Sequence, residues 1–247
     1  MKATMNTKDF MQGMRAIRTF VENGDAVRFI ESEGMLSVYC TDTTYVMLAR
    51  VCFDVTVEKD GESTIIIPYH PVMKASKMLL GASETVRLYS HGASFIDENG
   101  MEVASFSTSQ RDGRMSGGEN ANSGRAFVRA QETCQAVAVV PTAFLKGAVD
   151  MVNGKDKALS FNMSGDKFKI SYDDCENTFT IRRTVPMVKE CDNVTSYYPT
   201  DFLKSLLASI TAPAVTIYLG KDEVMALHAM QDGPSASYAI APRIMGD

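Results

Sequence analysis

Phe10-Met11-Gln12-Gly13 opens an apolar-periodic stretch that runs to Asn23-Gly24, and Phe144-Leu145-Lys146-Gly147 opens a second one that ends at Asn153-Gly154. A second pair of segments keeps the same order: Tyr69-His70-Pro71 leads into Met73-Lys74, and Tyr198-Pro199 leads into Leu203-Lys204. Each of these is followed by a strand-like run, Val86-Arg87-Leu88-Tyr89 or Val215-Thr216-Ile217-Tyr218-Leu219. The spacings, 144 − 10 = 134 and 204 − 74 = 130, agree within a few residues and lie near half of the 247-residue chain. Self-similarity at one spacing points to tandem copies of a single structural plan. The expectation is a domain at 1–109, a connector at 110–129 and a second domain at 130–247.

Within this frame Phe10, Met14, Ile17 and Val21 recur at helical intervals, which predicts an amphipathic helix from Lys8 to Val21 with Thr7 as its cap. Strands are expected at 26–31, 36–40, 45–53 and 63–67, with turns at Glu33-Gly34 and Asp60-Gly61. Pro71 opens a second helix that Gly81 ends, and strands near 85–90, 93–97 and 101–107 follow, the last two joined by Glu98-Asn99-Gly100. Arg111 to Arg125 holds four glycines and almost no large apolar group, so it reads as an exposed connector. The second half repeats the plan: strand 134–140, helix from Pro141 through Val152, strands near 157–163, 166–172 and 177–185, helix 199–210, and strands at 214–219, 223–229 and 235–240. Many strands with four short amphipathic helices make an α+β fold with largely antiparallel sheets, not a βαβ alternation.

Composition narrows the function. An apolar fraction of 45% with no run near the ~18 residues of a membrane span suits a globular protein without a membrane role. The polar start, Met1 to Lys8, lacks a signal-peptide core, so a cytoplasmic setting is expected. Five cysteines at 40, 52, 134, 175 and 191 form no CxxC pair, which suits buried thiols in a reducing compartment. Catalysis finds no support: His70, His91 and His228 lack metal-ligand spacing, Asp173-Asp174 reads as a turn, and no Gly-x-Gly cradle or nucleophile elbow is present. No catalytic residue, metal or cofactor is expected. The formal charge of −5 requires any nucleic-acid contact to use a local positive patch. The helices supply candidates: Lys8, Arg15 and Arg18 on the first, Lys74 and Lys77 on the second, Lys146 on the third and Lys204 on the fourth. These are either ordinary solvated helix faces or one summed surface that grips phosphates without reading sequence.

Asp42-Thr43-Thr44-Tyr45-Val46, after the Leu36–Cys40 strand, resembles the Asp-x-x-His-Val strand entry of the archaeal and eukaryotic DNA sliding clamps, the proliferating-cell-nuclear-antigen (PCNA) family. Tyr238-Ala239-Ile240-Ala241-Pro242-Arg243-Ile244 is similar to that family's C-terminal segment, Asp232-Gly233 to the turn before it, and Tyr197 to Leu207 to its fourth helix. The resemblance implies a two-domain subunit of a three-membered ring, with helices lining the hole and sheets outside. The seven cations would then face duplex DNA through loose phosphate contacts. The clamp does no chemistry; it tethers replication and repair partners (polymerase, nuclease, ligase), is placed on DNA by a clamp loader, and works through effective concentration.

The resemblance also implies a pocket for short partner peptides, to which Tyr45, Val46, Leu48, Ile240, Ala241, Pro242, Arg243 and Ile244 correspond, with Phe127 of Arg125-Ala126-Phe127-Val128-Arg129 on the rim. Family-typical subunit contacts would use edge strands, here 101–108 and 177–183. Several positions depart from the family pattern: Tyr45 stands for histidine, Thr41 for methionine and Val224 for proline, and the connector carries Arg111, Arg114, Arg125 and Arg129. These departures bear on peptide preference. A diverged paralogue, one subunit of a heterotrimer or a non-encircling scaffold, stays open beside the homotrimeric clamp.

Overall fold

The computed structural model describes residues 1–21, 25–32, 34–42, 44, 46–59, 64–108, 115–116, 122–154, 156–174, 177–229 and 233–244. The chain forms two compact units: Met1–Thr43 with Ala49–Glu119 and Gln231–Ala236, and Thr44–Leu48 with Asn120–Met230 and Ser237–Asp247. The first half of the chain runs β1 (Lys2–Asn6), α1 (Thr7–Ala16), a 3₁₀ turn (Arg18–Phe20), β2 (Ala26–Ser32), β3 (Met35–Thr41), β4 (Met47–Phe53), β5 (Val57–Glu58), β6 (Thr64–Pro68), α2 (Tyr69–Met78), β7 (Thr85–Tyr89), β8 (Gly92–Ile96), β9 (Glu102–Ser107) and β10 (Met115–Ser116). The second half runs α3 (Asn122–Thr133), β11 (Ala136–Pro141), α4 (Thr142–Asp150), β12 (Ala158–Ser164), β13 (Lys167–Asp173), β14 (Thr178–Thr184), β15 (Met187–Lys189), β16 (Val194–Pro199), α5 (Thr200–Ser209), β17 (Ala214–Leu219), β18 (Met225–Ala229) and β19 (Ser235–Ile240).

The strand orders display the repeat. In the first unit β5-β1-β7-β8-β9 form one sheet, while β2 pairs with β6 and β3, and β3 with β4. In the second unit β15-β11-β17-β18-β19 and β16-β12-β13-β14 stand in the same two orders. Each unit sends its first long strand into a helix, α1 or α4, and a later strand into another, α2 or α5. The buried backbone follows suit: Thr7 N donates to Glu84 O and Thr142 N to Pro213 O, both at 2.9 Å, tying each helix start to the chain just ahead of β7 or β17.

Burial sets the register of the repeat. The helix starts Thr7 and Thr142 are offset by 142 − 7 = 135, and Tyr69 and Thr200 by 200 − 69 = 131. At these offsets buried Phe10, Gly13, Met14 and Ile17 match buried Leu145, Ala148, Val149 and Val152. Likewise Val72 and Ser76 match Leu203 and Leu207. The Phe10–Phe144 and Lys74–Lys204 pairings read from the sequence are therefore each one residue off. Phe144 is half-buried, whereas Leu145 fills the core position.

Other boundaries move for local reasons. Asn6, not Thr7, caps α1: its side-chain oxygen accepts from Lys8 N at 2.7 Å, while the Thr7 hydroxyl lies buried against Ser83 Oγ at 3.3 Å. The first helix stops at Ala16 and tightens into the 3₁₀ turn. The stretch read as connector carries α3 in its second half, with Phe127 and Ala130 buried and Arg129 Nη2 3.3 Å from Glu223 Oε2. Residues 110–114 and 117–121 of that stretch lie outside the described residues.

Candidate nucleic-acid interface

In the first unit α1 packs on β1 and β7, α2 packs on β6 and β9, and the helices touch each other. Their buried stripes are amphipathic by spacing, so the remaining circumference faces solvent. Lys8, Arg15, Arg18, Lys74 and Lys77 are all exposed there, and among the described residues none of them has an ion-pair partner. Under this face the Tyr69 hydroxyl donates to Met14 O at 2.9 Å. Burial pushes its phenol well above the ordinary range, and the nearby Arg18 and Arg15 pull it back. The two helices and the 3₁₀ turn thus carry five exposed cations.

The second unit is built otherwise. Lys146 and Lys204 are half-buried, and their ammonium groups are in use: Lys146 Nζ donates to Ile210 O at 2.9 Å and Lys204 Nζ to Val152 O at 2.7 Å. Between α4 and α5 the two lysines line a groove of about 220 Å³ with Val149, Asp150, Leu207 and Ala208.

The tail residues lie against their own unit. Ala241 N donates to Val46 O at 2.9 Å, and Arg243 N to Tyr197 O at 2.8 Å. The Arg243 guanidinium also reaches Asp156 O. Ile240 and Leu48 are buried, Val46, Ala241 and Pro242 half-buried, and Arg243 and Ile244 exposed. Tyr45 lies outside the described residues. Phe127, expected on a rim, is 6% exposed because α3 turns it inwards onto the second unit; its neighbour Val128 is the exposed side chain, at 51%. Sequence reading missed α3, and the signal was the i, i+3 pair Phe127 and Ala130 followed by Cys134.

No protein-family profile matches this sequence, and no curated protein does. Solved structures do match over nearly the whole chain. A clamp of Archaeoglobus fulgidus, solved as PCNA bound to the C-terminal region of FEN-1, superposes with a TM-score of 0.75 at 17% identity, covering 100% of this chain and 99% of that one. The PCNA of Entamoeba histolytica gives 0.75 at 14%, covering 98% of each chain. A PCNA2-PCNA3 complex of Sulfolobus tokodaii gives 0.68 at 14%, covering 98% and 99%. The fold is the PCNA-type clamp fold.

On this clamp fold the strands expected as subunit contacts are both sheet edges. β9 ends the sheet of β8, with Val103 exposed on it and Met101 exposed just ahead of it, and β14 ends the sheet of β13. β14 presents Arg182 and Arg183 to solvent, the latter lying 5.9 Å over the Phe144 ring of α4. The histidines sit as clamp scaffold. His228 Nδ1 lies 2.9 Å from Ser237 Oγ between neighbouring strands, and His70 stands edge-on to Tyr69. Asp174 accepts from Lys157 Nζ at 3.1 Å and from Asn177 N at 2.7 Å, which makes it a turn residue. Among the described residues no group of three or more His, Cys, Asp or Glu could hold a metal ion.

Proposed function

We propose that this protein is a DNA sliding clamp, a non-catalytic processivity factor that encircles duplex DNA and tethers replication and repair proteins. The observation that carries this is the match of the whole chain, end to end, to the clamp fold. The five exposed cations of α1, the 3₁₀ turn and α2 support it, because they form a local basic face on a protein of net charge −5. Hydrated lysine and arginine side chains on short helices make water-rich phosphate contacts, which let a ring slide.

In this reading three copies close a ring through β9 of one against β14 of the next. Exposed Met101 and Val103, with Glu102 on the first edge and Arg182 and Arg183 on the second, favour that head-to-tail pairing. Val46, Leu48 and the tail from Ile240 to Ile244 take partner peptides, with Tyr45 in the same segment. The half-buried Val46 and Pro242 and the 79% exposed Ile244 leave apolar surface there for an anchor. A clamp loader opens the ring.

Solution mass across a range of protein concentration tests the assembly. A species near three times 27.0 kDa is expected, and a stable monomer overturns the homotrimer. A heteromeric ring is the second reading. It is favoured by the absence of free basic side chains at Lys146 and Lys204, and the Sulfolobus tokodaii structure pairs two different clamp chains. Replacing Pro242 and the exposed Ile244 with charged residues should abolish partner-peptide binding without changing that mass; unchanged peptide binding overturns the pocket.

A further inference from the structure

The structural register of the repeat matches α1 to α4 and α2 to α5 residue by residue. Lys146 stands where the first unit has Met11, and Lys204 stands where it has Met73, both buried methionines. The lysines thus occupy positions between the paired helices, not on their outward faces. The outward positions are those equivalent to Lys8, Arg15, Arg18, Lys74 and Lys77. In the second unit these are Ala143, Asp150, Asn153, Ser205 and Ala208. None is basic, and Arg15 is matched by an aspartate.

The carbonyls that the two lysines hold explain their presence. Ile17 O and Leu79 O end the helices of the first unit, and backbone donors satisfy them: Phe20 N at 2.9 Å on the former, Ala82 N at 2.8 Å and Ser83 N at 2.9 Å on the latter. Their counterparts are Val152 O and Ile210 O, the two acceptors of Lys204 and Lys146. After the second helix the chain is two residues shorter in the second unit, Ile210 to Pro213 against Leu79 to Glu84, and the turn that brings Ala82 N and Ser83 N onto Leu79 O is not repeated on Ile210 O. Lys146 Nζ supplies the missing donor from the neighbouring helix, and it brings a positive charge to a helix C-terminus, where charge of that sign is favoured. Lys204 does the same in the opposite direction. The counterpart of Phe20, Lys155, lies outside the described residues.

We propose that Lys146 and Lys204 form a reciprocal clasp closing the α4–α5 pair, and that the DNA grip of each subunit is carried by the α1–α2 face alone. This rests on the clamp reading above. To bind a phosphate either lysine must abandon a carbonyl at the end of a helix, whereas the first unit's cations abandon only water. The grip is therefore lopsided within one chain.

Four proteins decide it: the parent, K146M/K204M, K74A/K77A and D150R, each measured for association with a short blunt DNA duplex across a salt series and for thermal melting. K146M/K204M should keep the parent's salt slope and melt lower. K74A/K77A should melt as the parent does and lose about 0.9 of slope for each phosphate contact removed. D150R, which copies Arg15 onto the second unit, should steepen the slope. A slope lowered by K146M/K204M as much as by K74A/K77A, with melting unchanged, overturns the proposal. Where the double variant does not fold, K146M and K204M singly supply the slope. If the parent shows no salt-dependent duplex association, the DNA reading fails. The clasp is then still decided by melting, since an unchanged transition in K146M/K204M overturns it.

Discussion

The α1–α2 pair and the α4–α5 pair solve one packing problem with different chemistry. Both bury the same stripe and both end their helices at matched carbonyls. The first pair packs Met11 and Met73 between the helices and closes the carbonyls with the chain's own turns. The second has a shorter chain after its second helix and reaches across with lysines. Duplication thus preserves what burial and backbone hydrogen bonding demand, while outward residues drift freely, from five cations in one copy to none at the same places in the other. A basic residue on a helix of this fold is informative only after its counterpart is known.

Exchanging the two solutions should break the molecule most. In M11K a lysine enters a position 2% exposed, and the carbonyl it would reach, Leu79 O, already accepts from two backbone donors. An uncompensated buried charge costs about 3–5 kcal/mol, read as a fall in the denaturant midpoint. A loss as small as that of K146M would show that the two interhelical positions are not equivalent. Next comes Gly13, matched by buried Ala148. A Cβ at Gly13 would lie 2.4 Å from Phe53 Cζ, so the glycine leaves space for that ring. G13A should cost about 1–3 kcal/mol by overpacking, although alanine favours helix. G13A/F53L should recover part of it, and additive losses in the cycle would sink the steric account.

The clasp itself should be worth less, because Lys146 and Lys204 are only half-buried and each has a long side chain that can turn its ammonium to water. K146M should cost about 1–2 kcal/mol, the range for an acceptor losing its partner. An unchanged transition in K146M would mean that the bond to Ile210 O carries no stability.

How far the chain could be read follows from the same physics. The repeat, the four expected helices and the antiparallel sheets are legible because apolar spacing and turn residues encode burial directly, whereas the edge strands β9 and β14 are named from the family resemblance. The register was misread by one residue because Phe-x-x-Gly looks alike in both copies, while burial matches Phe10 to Leu145 rather than to Phe144. β1 was hidden by its polar look, although Ala3 and Met5 alternate inward between Lys2, Thr4 and Asn6. α3 was masked by the glycines before it. The employment of Lys146 and Lys204 could not be read at all, since it depends on carbonyls 64 and 52 residues away. Charge on a helix is visible in sequence; what that charge is bonded to is not.

The smallest effects should differ in sign between the copies. Tyr69 and Thr200 open α2 and α5 at matched positions, both buried. The Tyr69 hydroxyl donates to Met14 O, so Y69F removes a satisfied hydrogen bond and should cost about 1 kcal/mol. The Thr200 hydroxyl is buried and has no hydrogen-bond partner among the described residues. In T200V a methyl replaces a desolvated, unpaired hydroxyl of nearly the same size, so the variant should be neutral or gain up to about 1 kcal/mol. Melting of the two single variants checks this directly. If T200V destabilises as Y69F does, the second hydroxyl has a partner after all, and polar bonding as well as apolar burial is preserved at the helix starts of both copies.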